Sequence, residues 1–224
     1  MRGNGATAVL LSAGLDSAVL AAAEARRGHV HPVYVSVGLA WESGELSALE
    51  RLLATPLYAP MAPLVRLSFP AGDLYPPMHW AIRGTPPGFD TPDEDVFLTG
   101  RNVMLLSKAG IHCAQNDIDR IAIGPLAGNP FPDATEDFFA SMSRTLSLGL
   151  AHEIGIAAPF AEMHKSDVVR LGLELGVPLE LTLSCMNPER GLHCGRCSKC
   201  RERRDAFIEA DAPDPTEYAT KPLR

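Results

Sequence analysis

The chain has 224 residues, enough for one large domain or for one domain with a small appendage. Hydrophobic residues make up 46% of it and charged residues 21%, which is typical of a globular protein and argues against intrinsic disorder. Twenty lysines and arginines against 27 aspartates and glutamates give a net charge of -7, which argues against non-specific binding to nucleic acid or to an anionic membrane.

Apolar runs and amphipathic segments alternate along the first third of the chain. The pattern predicts strand, helix, strand, helix and strand in turn, at residues 6–11, 16–27, 31–37, 43–54 and 64–69. Ser43 is the expected N-cap of the second helix. Strands that alternate with helices indicate βαβ units and a mostly parallel sheet.

Residues 70–95 interrupt this alternation, because six prolines and several glycines fall within them. A long segment of this composition in a compact domain is typical of a functional lid, and the competing interpretation is a tolerated surface insertion. The sequence leaves both interpretations open.

The alternation resumes after residue 100. Helices and strands are expected at 102–115, 120–124, 135–150, 156–158, 166–175 and 198–210, and the segment 213–224 resembles a frayed tail. The prediction is therefore an α/β fold, an open parallel sheet with helices on both faces, in a domain at residues 1–180.

The turn at residues 12–17, Ser-Ala-Gly-Leu-Asp-Ser, lies between the first strand and the first helix. In open α/β sheets this position faces ligands, and small residues at a helix N-terminus let backbone N–H groups approach an anion. Ser12 and Ser17 supply hydroxyl donors, and Asp16 could hold Mg²⁺. The turn lacks the Gly-Lys-Ser/Thr ending of a Walker A loop.

Four of the five cysteines lie close together near the C-terminus, at Cys185, Cys194, Cys197 and Cys200. Such clustering without a credible signal peptide favours a metal site and a reducing cytoplasm over disulfides. Four thiolates complete a tetrahedron, which indicates a structural zinc site at residues 181–212, with iron–sulfur as the competing metal. His193 is a less favoured substitute ligand.

The turn at 12–17 resembles the SGGxDS pyrophosphate loop of N-type ATP pyrophosphatases, with Ala13 in place of a glycine. If this position requires a positive φ, alanine costs about 1–2 kcal/mol. Three further stretches, at 97–102, 164–178 and 181–185, extend the likeness. Together these motifs resemble the 7-cyano-7-deazaguanine synthase family over nearly the whole chain.

This resemblance implies the adenine nucleotide alpha hydrolase-like fold, one zinc ion per subunit and a homodimer. It also implies an ATP-dependent ligase of queuosine biosynthesis, which converts 7-carboxy-7-deazaguanine and ammonia to the nitrile through an acyl-adenylate. The partners are thus small molecules, and neither a membrane nor nucleic acid is expected.

The resemblance also assigns site residues. The expected catalytic residues are Asp16, Arg101 and Lys165, and Lys165 would neutralise phosphate charge. Phe131 and Asp133 are expected to bind the substrate, by stacking and by hydrogen bonding. The expected ATP-binding residues are Leu11, Ser12, Ala13, Gly14, Leu15, Ser17 and Asn102.

Besides Ala13, three places depart from the family pattern, and the first is Thr99, where the family usually has a proline. Residues 37–41 lack the polar side chains that the family carries after its second strand, and Thr135 stands where the family has an arginine. An arginine would offer a carboxylate two parallel donors, and threonine cannot. The prediction that the protein uses ATP is therefore supported by more motif residues than the prediction of which acid it activates.

Two other functions remain as alternatives. One is a pyrophosphatase of the same fold that activates a different carboxylate, or a base for amidation or sulfur transfer. Sulfur transfer calls for a reactive cysteine, and Cys113 is expected to be a buried structural thiol. The other is a non-catalytic zinc module that binds nucleic acid or a protein through the basic residues of 196–204.

Overall fold

The structure of the protein is a computed structural model that describes residues 5–222, so the predictions for 1–4 and 223–224 lie outside it. Five strands are present in the described residues: β1 (Ala6–Leu10), β2 (His29–Ser36), β3 (Val65–Ser68), β4 (Arg120–Ala122) and β5 (Gly155–Ala157). They form one sheet in the order β3-β2-β1-β4-β5, and every neighbouring pair is parallel. The predicted open parallel sheet is confirmed.

Seven α-helices connect and follow the strands within residues 5–222. They are α1 (Leu15–Ala25), α2 (Glu42–Leu53), α3 (Trp80–Arg83), α4 (Arg101–Gln115), α5 (Glu136–Leu150), α6 (Lys165–Leu175) and α7 (Ser198–Glu209). Short 3₁₀ turns occur at Asp93–Val96, Pro132–Ala134 and Leu179–Leu181. Apart from α3 and these turns, each element matches a predicted one to within two residues at either end.

The sheet separates two hydrophobic clusters, because neighbouring side chains of a strand point to opposite faces. Val9 of β1 packs on one face with α1, α2, α6 and α7, whereas Ala8 and Leu10 pack on the other with α4 and α5. β1 lies between β2 and β4, so the strand order reverses at β1. A crevice opens at the carboxyl ends of strands where the order reverses, which is where the turn at 12–17 lies.

The N-cap of α2 is Trp41, so the prediction of Ser43 is wrong. The carboxylate of Glu42 accepts hydrogen bonds from the backbone N–H groups of Val37 and Gly38, at 2.8 and 2.9 Å. It also accepts one from the Ser36 hydroxyl at 2.6 Å. These contacts to the end of β2 hold Glu42 in place and start the helix before Ser43.

Residues 70–95 are packed against the C-terminal part of the chain. Ala71, Tyr75 and Ala81 are buried in the larger core cluster. The carbonyl of Pro87 accepts the Ser198 N–H at 3.3 Å, and the Arg201 guanidinium donates to the carbonyls of Phe89 and Thr91. The segment is therefore held to α7 rather than projecting as a free insertion.

A frayed tail was expected at 213–224, but residues 216–219 of this segment make hydrogen bonds to the rest of the chain. Arg203 is fully buried, and its Nε donates to the Thr216 hydroxyl at 2.5 Å. His193 pairs with the backbone on either side of Tyr218, donating to Glu217 and accepting from Ala219. Within residues 5–222, no helix has the length and apolar character needed to cross a membrane.

Candidate functional site

A cleft of about 640 Å³ opens at the carboxyl ends of the strands. It brings together residues that are distant in sequence, from the turn after β1, the start of α4, the loop after β4 and the start of α6. The predicted site residues that line the cleft are Leu11, Ser12, Gly14, Leu15, Asp16, Ser17, Arg101, Asn102, Phe131, Asp133 and Lys165. Ala13 is fully buried behind the lining.

The turn after β1 is held by hydrogen bonds within the turn itself. Ser12 N–H donates to the Ser17 hydroxyl at 3.3 Å, and that hydroxyl donates to the Gly14 carbonyl at 3.1 Å. Ala13 has a φ of 61°, so the conditional cost of about 1–2 kcal/mol for a side chain here applies. Its carbonyl accepts the Leu183 N–H at 2.8 Å, which joins the turn to the chain just before Cys185.

One end of the cleft, the lysine end, consists of Asp16, Lys165, Lys199 and Glu202. Lys165 Nζ lies 2.7 Å from Asp16 Oδ2 and 2.8 Å from Glu202 Oε1. Lys199 Nζ lies 2.5 Å from Glu202 Oε2. The ammonium groups are thus already positioned and desolvated where a polyanion could reach them.

The carboxyl groups of the lysine end differ in pKa. Burial raises the pKa of Asp16, and the charge of Lys165 offsets this only in part. Burial acts the same way on Glu202, but Lys165 and Lys199 outweigh it and lower the pKa of Glu202 to about 2. Asp16 Oδ1 is buried and has no hydrogen-bond partner among the described residues, so one acceptor is free to bind a ligand.

Close packing of two helices brings Lys165 to Asp16. Both residues lie in the first turn of their helices, α6 and α1. A Cβ added to Gly172 of α6 would lie 2.9 Å from a Val19 methyl of α1, which is too close for two carbon atoms. Glycine at 172 therefore sets the separation of α1 and α6.

Sequence reasoning missed Lys199 and Glu202 as cleft residues. In the sequence they belong to a strongly charged segment that looks like a solvated helix face. The structure instead places the start of α7 against the start of α6. The proximity of this segment to the cysteines was the available signal, because a metal site at 185–200 would hold the helix that follows it.

Arg101 and Asn102 begin α4 at the middle of the cleft. Asn102 N–H donates to Asp133 Oδ2 at 3.0 Å, and Asn102 Nδ2 donates to the Asp133 carbonyl at 2.9 Å. Asp133 therefore satisfies a free N–H at the start of α4. The Nε of Arg101 is buried and has no hydrogen-bond partner within the described chain. Phe131 stacks on Phe97, with ring centroids 5.1 Å apart.

The opposite end of the cleft, the aromatic end, consists of Tyr34, Trp41, Glu45 and Trp80. Glu45 is buried and accepts hydrogen bonds from the Tyr34 hydroxyl at 2.9 Å and from Trp41 Nε1 at 3.2 Å. Trp41 and Trp80 are stacked with their planes 9° apart. Burial raises the pKa of Glu45 to about 7, against the opposing charge of Arg101.

Sequence reasoning also missed Glu45. The altered segment at 37–41, which precedes Glu45, was the only feature of the sequence that drew attention to this region. A glutamate in the first turn of an amphipathic helix is usually solvated, and only the tertiary contact with Tyr34 shows that Glu45 points into the cleft.

The four cysteines Cys185, Cys194, Cys197 and Cys200 are brought together as predicted. All are buried, and their sulfur atoms lie within 4.8 Å of one another. The Sγ–Sγ distances include 3.5, 3.9 and 4.0 Å. Four sulfurs around zinc at about 2.3 Å would be about 3.8 Å apart, so the cluster fits a tetrahedral ion.

The neighbourhood of the cysteines suits a closed thiolate site. Backbone N–H groups of Asn187 and Cys194 donate to Cys185 Sγ, at 3.3 and 3.2 Å, and such donors stabilise a thiolate. His193 is engaged elsewhere, because its Nε2 accepts the Ser184 N–H at 3.1 Å. The fifth cysteine, Cys113, is buried in α4, where burial raises its pKa to about 12.

Comparison with known proteins gives a consistent result. A family model described as "Queuosine biosynthesis protein QueC" matches residues 90–211. The 7-cyano-7-deazaguanine synthases of Methanothrix thermoacetophila and Methanopyrus kandleri are each 35% identical to this chain, over 96% and 95% of it and over 99% and 98% of their own lengths. The enzyme of the same name from Anaeromyxobacter dehalogenans is 34% identical over 94% of each chain.

Proposed function

Because the chain belongs to the 7-cyano-7-deazaguanine synthase family, we propose that it converts 7-carboxy-7-deazaguanine and ammonia to the nitrile with ATP, in the synthesis of the queuosine precursor. The observation that carries this proposal is the single cleft in which the turn at 12–17, Asp16, Lys165 and Arg101 meet. A carboxylate oxygen is a poor leaving group, so the acid must first be joined to AMP.

The lysine end of the cleft suits the triphosphate of ATP. Ser12, Ala13, Gly14, Leu15 and Ser17 would bring backbone N–H groups and hydroxyls to the phosphates, beside the N-terminus of α1. Leu11 and Asn102 would contact the nucleotide nearby. Lys165 would balance the charge on pyrophosphate as it leaves, because its ammonium is held within the cleft by Asp16 and Glu202.

The free Oδ1 of Asp16 is the atom that best fits Mg²⁺ accompanying ATP. When bound, that ion would supply further neutralisation of phosphate charge. Asp16 keeps its Oδ2 on Lys165 throughout, so the residue would hold a cation on each oxygen. This arrangement supports a role in binding and orientation rather than in proton transfer.

The middle of the cleft suits the acid. Arg101 has a buried nitrogen that no group of the described chain occupies, and its guanidinium would bind the substrate carboxylate. Thr135 accepts the Phe138 N–H at 3.2 Å and caps α5, so the position that carries an arginine in the family has a structural task here. Phe131 would stack on the heterocycle, and Asp133 would act mainly by holding Asn102.

The four cysteines would hold a structural zinc ion, because a complete set of four thiolates leaves no position for water or substrate. When bound, zinc would supply folding free energy to the segment that carries Lys199 and Glu202. Two further features are part of the proposal, namely a homodimer and a cytoplasmic location, where reducing conditions keep the thiols available.

The test is the ATP dependence of nitrile formation. Zinc-loaded protein, 7-carboxy-7-deazaguanine, an ammonium salt and magnesium ATP should release AMP and pyrophosphate, and mass spectrometry should show the nitrile. One activation gives the amide and a second allows its dehydration, so two AMP are expected for each nitrile. AMP release with another carboxylate, but not with this one, would favour the alternative of a different acid.

The remaining alternatives receive less support. No cysteine is among the residues described as lining the cleft, which disfavours sulfur transfer. If the protein were a non-catalytic zinc module, the charged residues of the lysine end would have no function. RNA binding that does not depend on ATP, together with an absence of AMP release, would reverse this preference.

A further inference from the structure

Taking the proposed function as given, we infer that Glu45 recognises the pyrimidine-ring edge of the substrate, with its carboxylate accepting hydrogen bonds from the N1–H and 2-amino groups of a guanine-type base. Glu45 lies on α2, outside every motif that predicted the site. It is one of the residues that line the cleft.

The hydrogen bonds of Glu45 leave it able to accept more. Oε2 accepts from Tyr34 and Oε1 from Trp41, one bond on each oxygen. A carboxylate oxygen has two lone pairs, so each oxygen has one acceptor position left. The two existing donors hold the carboxylate in one orientation, as selective recognition requires.

Within the described residues, Glu45 forms no ion pair with a lysine or an arginine. Another buried glutamate, Glu24, forms an ion pair with Arg120 and lies outside the cleft. Glu45 has only neutral donors in hydrogen-bond contact, and Arg101 acts on it from a longer distance. Burying a carboxylate without a neighbouring cation destabilises the fold. Groups that are kept in the protein despite such a cost are often ones that bind a ligand.

The chemistry of Glu45 selects one type of base. A guanine-type edge offers two adjacent donors, and an ionised carboxylate is an acceptor at both oxygens. An adenine-type edge offers one donor beside the N1 acceptor, so one carboxylate oxygen would face another lone pair. Trp80 borders the same end of the cleft, stacked on Trp41, and offers an aromatic surface for a flat heterocycle.

The experiment compares 7-carboxy-7-deazaguanine with the analogue that lacks the 2-amino group, in wild type and in Glu45→Gln. Wild type should lose about 100-fold in kcat/KM on the analogue, since the analogue leaves a buried acceptor unpaired. Glu45→Gln should raise the KM for the full substrate about 100-fold and should discriminate between the two acids by less than about 10-fold. The KM for ATP should change by no more than about twofold.

Glu50→Gln is the matched control, because Glu50 lies on the same helix, is exposed and pairs with Arg66 at the surface. It should keep both the KM and the discrimination of wild type. If wild type releases no AMP with the full substrate, the proposed function fails. If wild type is active and Glu45→Gln discriminates as wild type does, only the inference about Glu45 is overturned.

A second variant serves if Glu45→Gln does not fold. Glu45→Asp keeps the charge but withdraws the carboxylate by one methylene, so its discrimination should also fall below about 10-fold. Undiminished discrimination in this variant would equally overturn the inference. Circular dichroism on each variant establishes that the fold is intact before kinetics are compared.

Discussion

The two ends of the cleft each present a glutamate, and the surroundings of the two differ. Glu202 at the lysine end contacts two ammonium groups, and its pKa is lowered to about 2. Glu45 at the aromatic end contacts a hydroxyl and an indole, and burial raises its pKa to about 7. Desolvation acts in the same direction on both groups, so the partners decide the outcome.

This difference separates two tasks. At the lysine end, the ion pairs with Lys165 and Lys199 keep Glu202 ionised at neutral pH, and such fixed charges suit the binding of phosphate. At the aromatic end, burial raises the pKa of Glu45 to about 7, so its charge changes near neutral pH, and a ligand that donates hydrogen bonds to it would favour the ionised form.

Removal of the proposed zinc ion should loosen the lysine end first and leave Tyr34 and Glu45, on β2 and α2, in place. Zinc binding contributes on the order of 10 kcal/mol in small zinc domains, and α7, which carries Lys199 and Glu202, begins between two of the ligands. After chelation, hydrogen exchange should show loss of protection at residues 184–222 before β1 and β2. Uniform loss of protection over the sheet, including α2, would contradict the contrast.

Asp16→Asn should reduce AMP release by about 100-fold or more, because it removes the carboxylate that would hold the Mg²⁺ accompanying ATP. The melting temperature should change by only a few degrees, since Lys165 keeps its contact with Glu202. Activity assays and thermal melts test this together. Asp137→Asn, at an exposed position in the first turn of α5, is the control and should leave AMP release unchanged.

Stability should respond to pH in opposite ways at the two glutamates. The pKa of Glu45 is raised, so its folded form prefers the proton, and its ionisation destabilises the fold as pH rises from about 4.5 to 7. The full effect is on the order of 3 kcal/mol. Relative to Glu45→Gln, wild type should therefore lose free energy of unfolding between pH 5 and 8, as measured by denaturant titration.

The groups that face Glu45 are Arg101, Tyr34 and Glu42, none of which is altered in that comparison. Glu202→Gln should show the reverse sign. The pKa of Glu202 is lowered, so its stabilising contribution is present above about pH 4.5 and is lost as pH falls towards 2. A slope of the same sign for both variants would refute the contrast between the two ends.

Ala13→Gly should have the smallest effect. Glycine relieves the strain of the positive φ, about 1–2 kcal/mol, but loses the burial of one methyl group, about 0.8 kcal/mol. We expect a net stabilisation below about 1 kcal/mol, with AMP release retained. Denaturant titration measures the first quantity. A clear destabilisation would show that the methyl group matters more to packing than its φ costs.

The strands, the main helices and the clustering of the four cysteines were predictable because their signals are local. β1 and β2 are short apolar segments, and the spacing of Cys194, Cys197 and Cys200 places three sulfurs around one point. The turn at 12–17 was likewise found from its own residues. Its place along the cleft follows from the order of the strands.

The rest depends on contacts between distant residues. The start of α2 is set by the carboxylate of Glu42 on the end of β2, which overrides the capping preference of Ser43. The segment 70–95 is held by Ser198 and Arg201, about a hundred positions later. Glu45 and Glu202 resemble solvated helix residues until the facing element is known.

The close approach at Gly172 reaches beyond the two helices that meet there. A methyl group at this position would push α6 outward and carry the ammonium of Lys165 away from the turn that it serves. Glycine is thus needed in the middle of α6 so that Lys165, at the start of this helix, reaches Asp16. Under the proposed function, substitutions at 172 would therefore weaken ATP binding although Gly172 does not line the cleft.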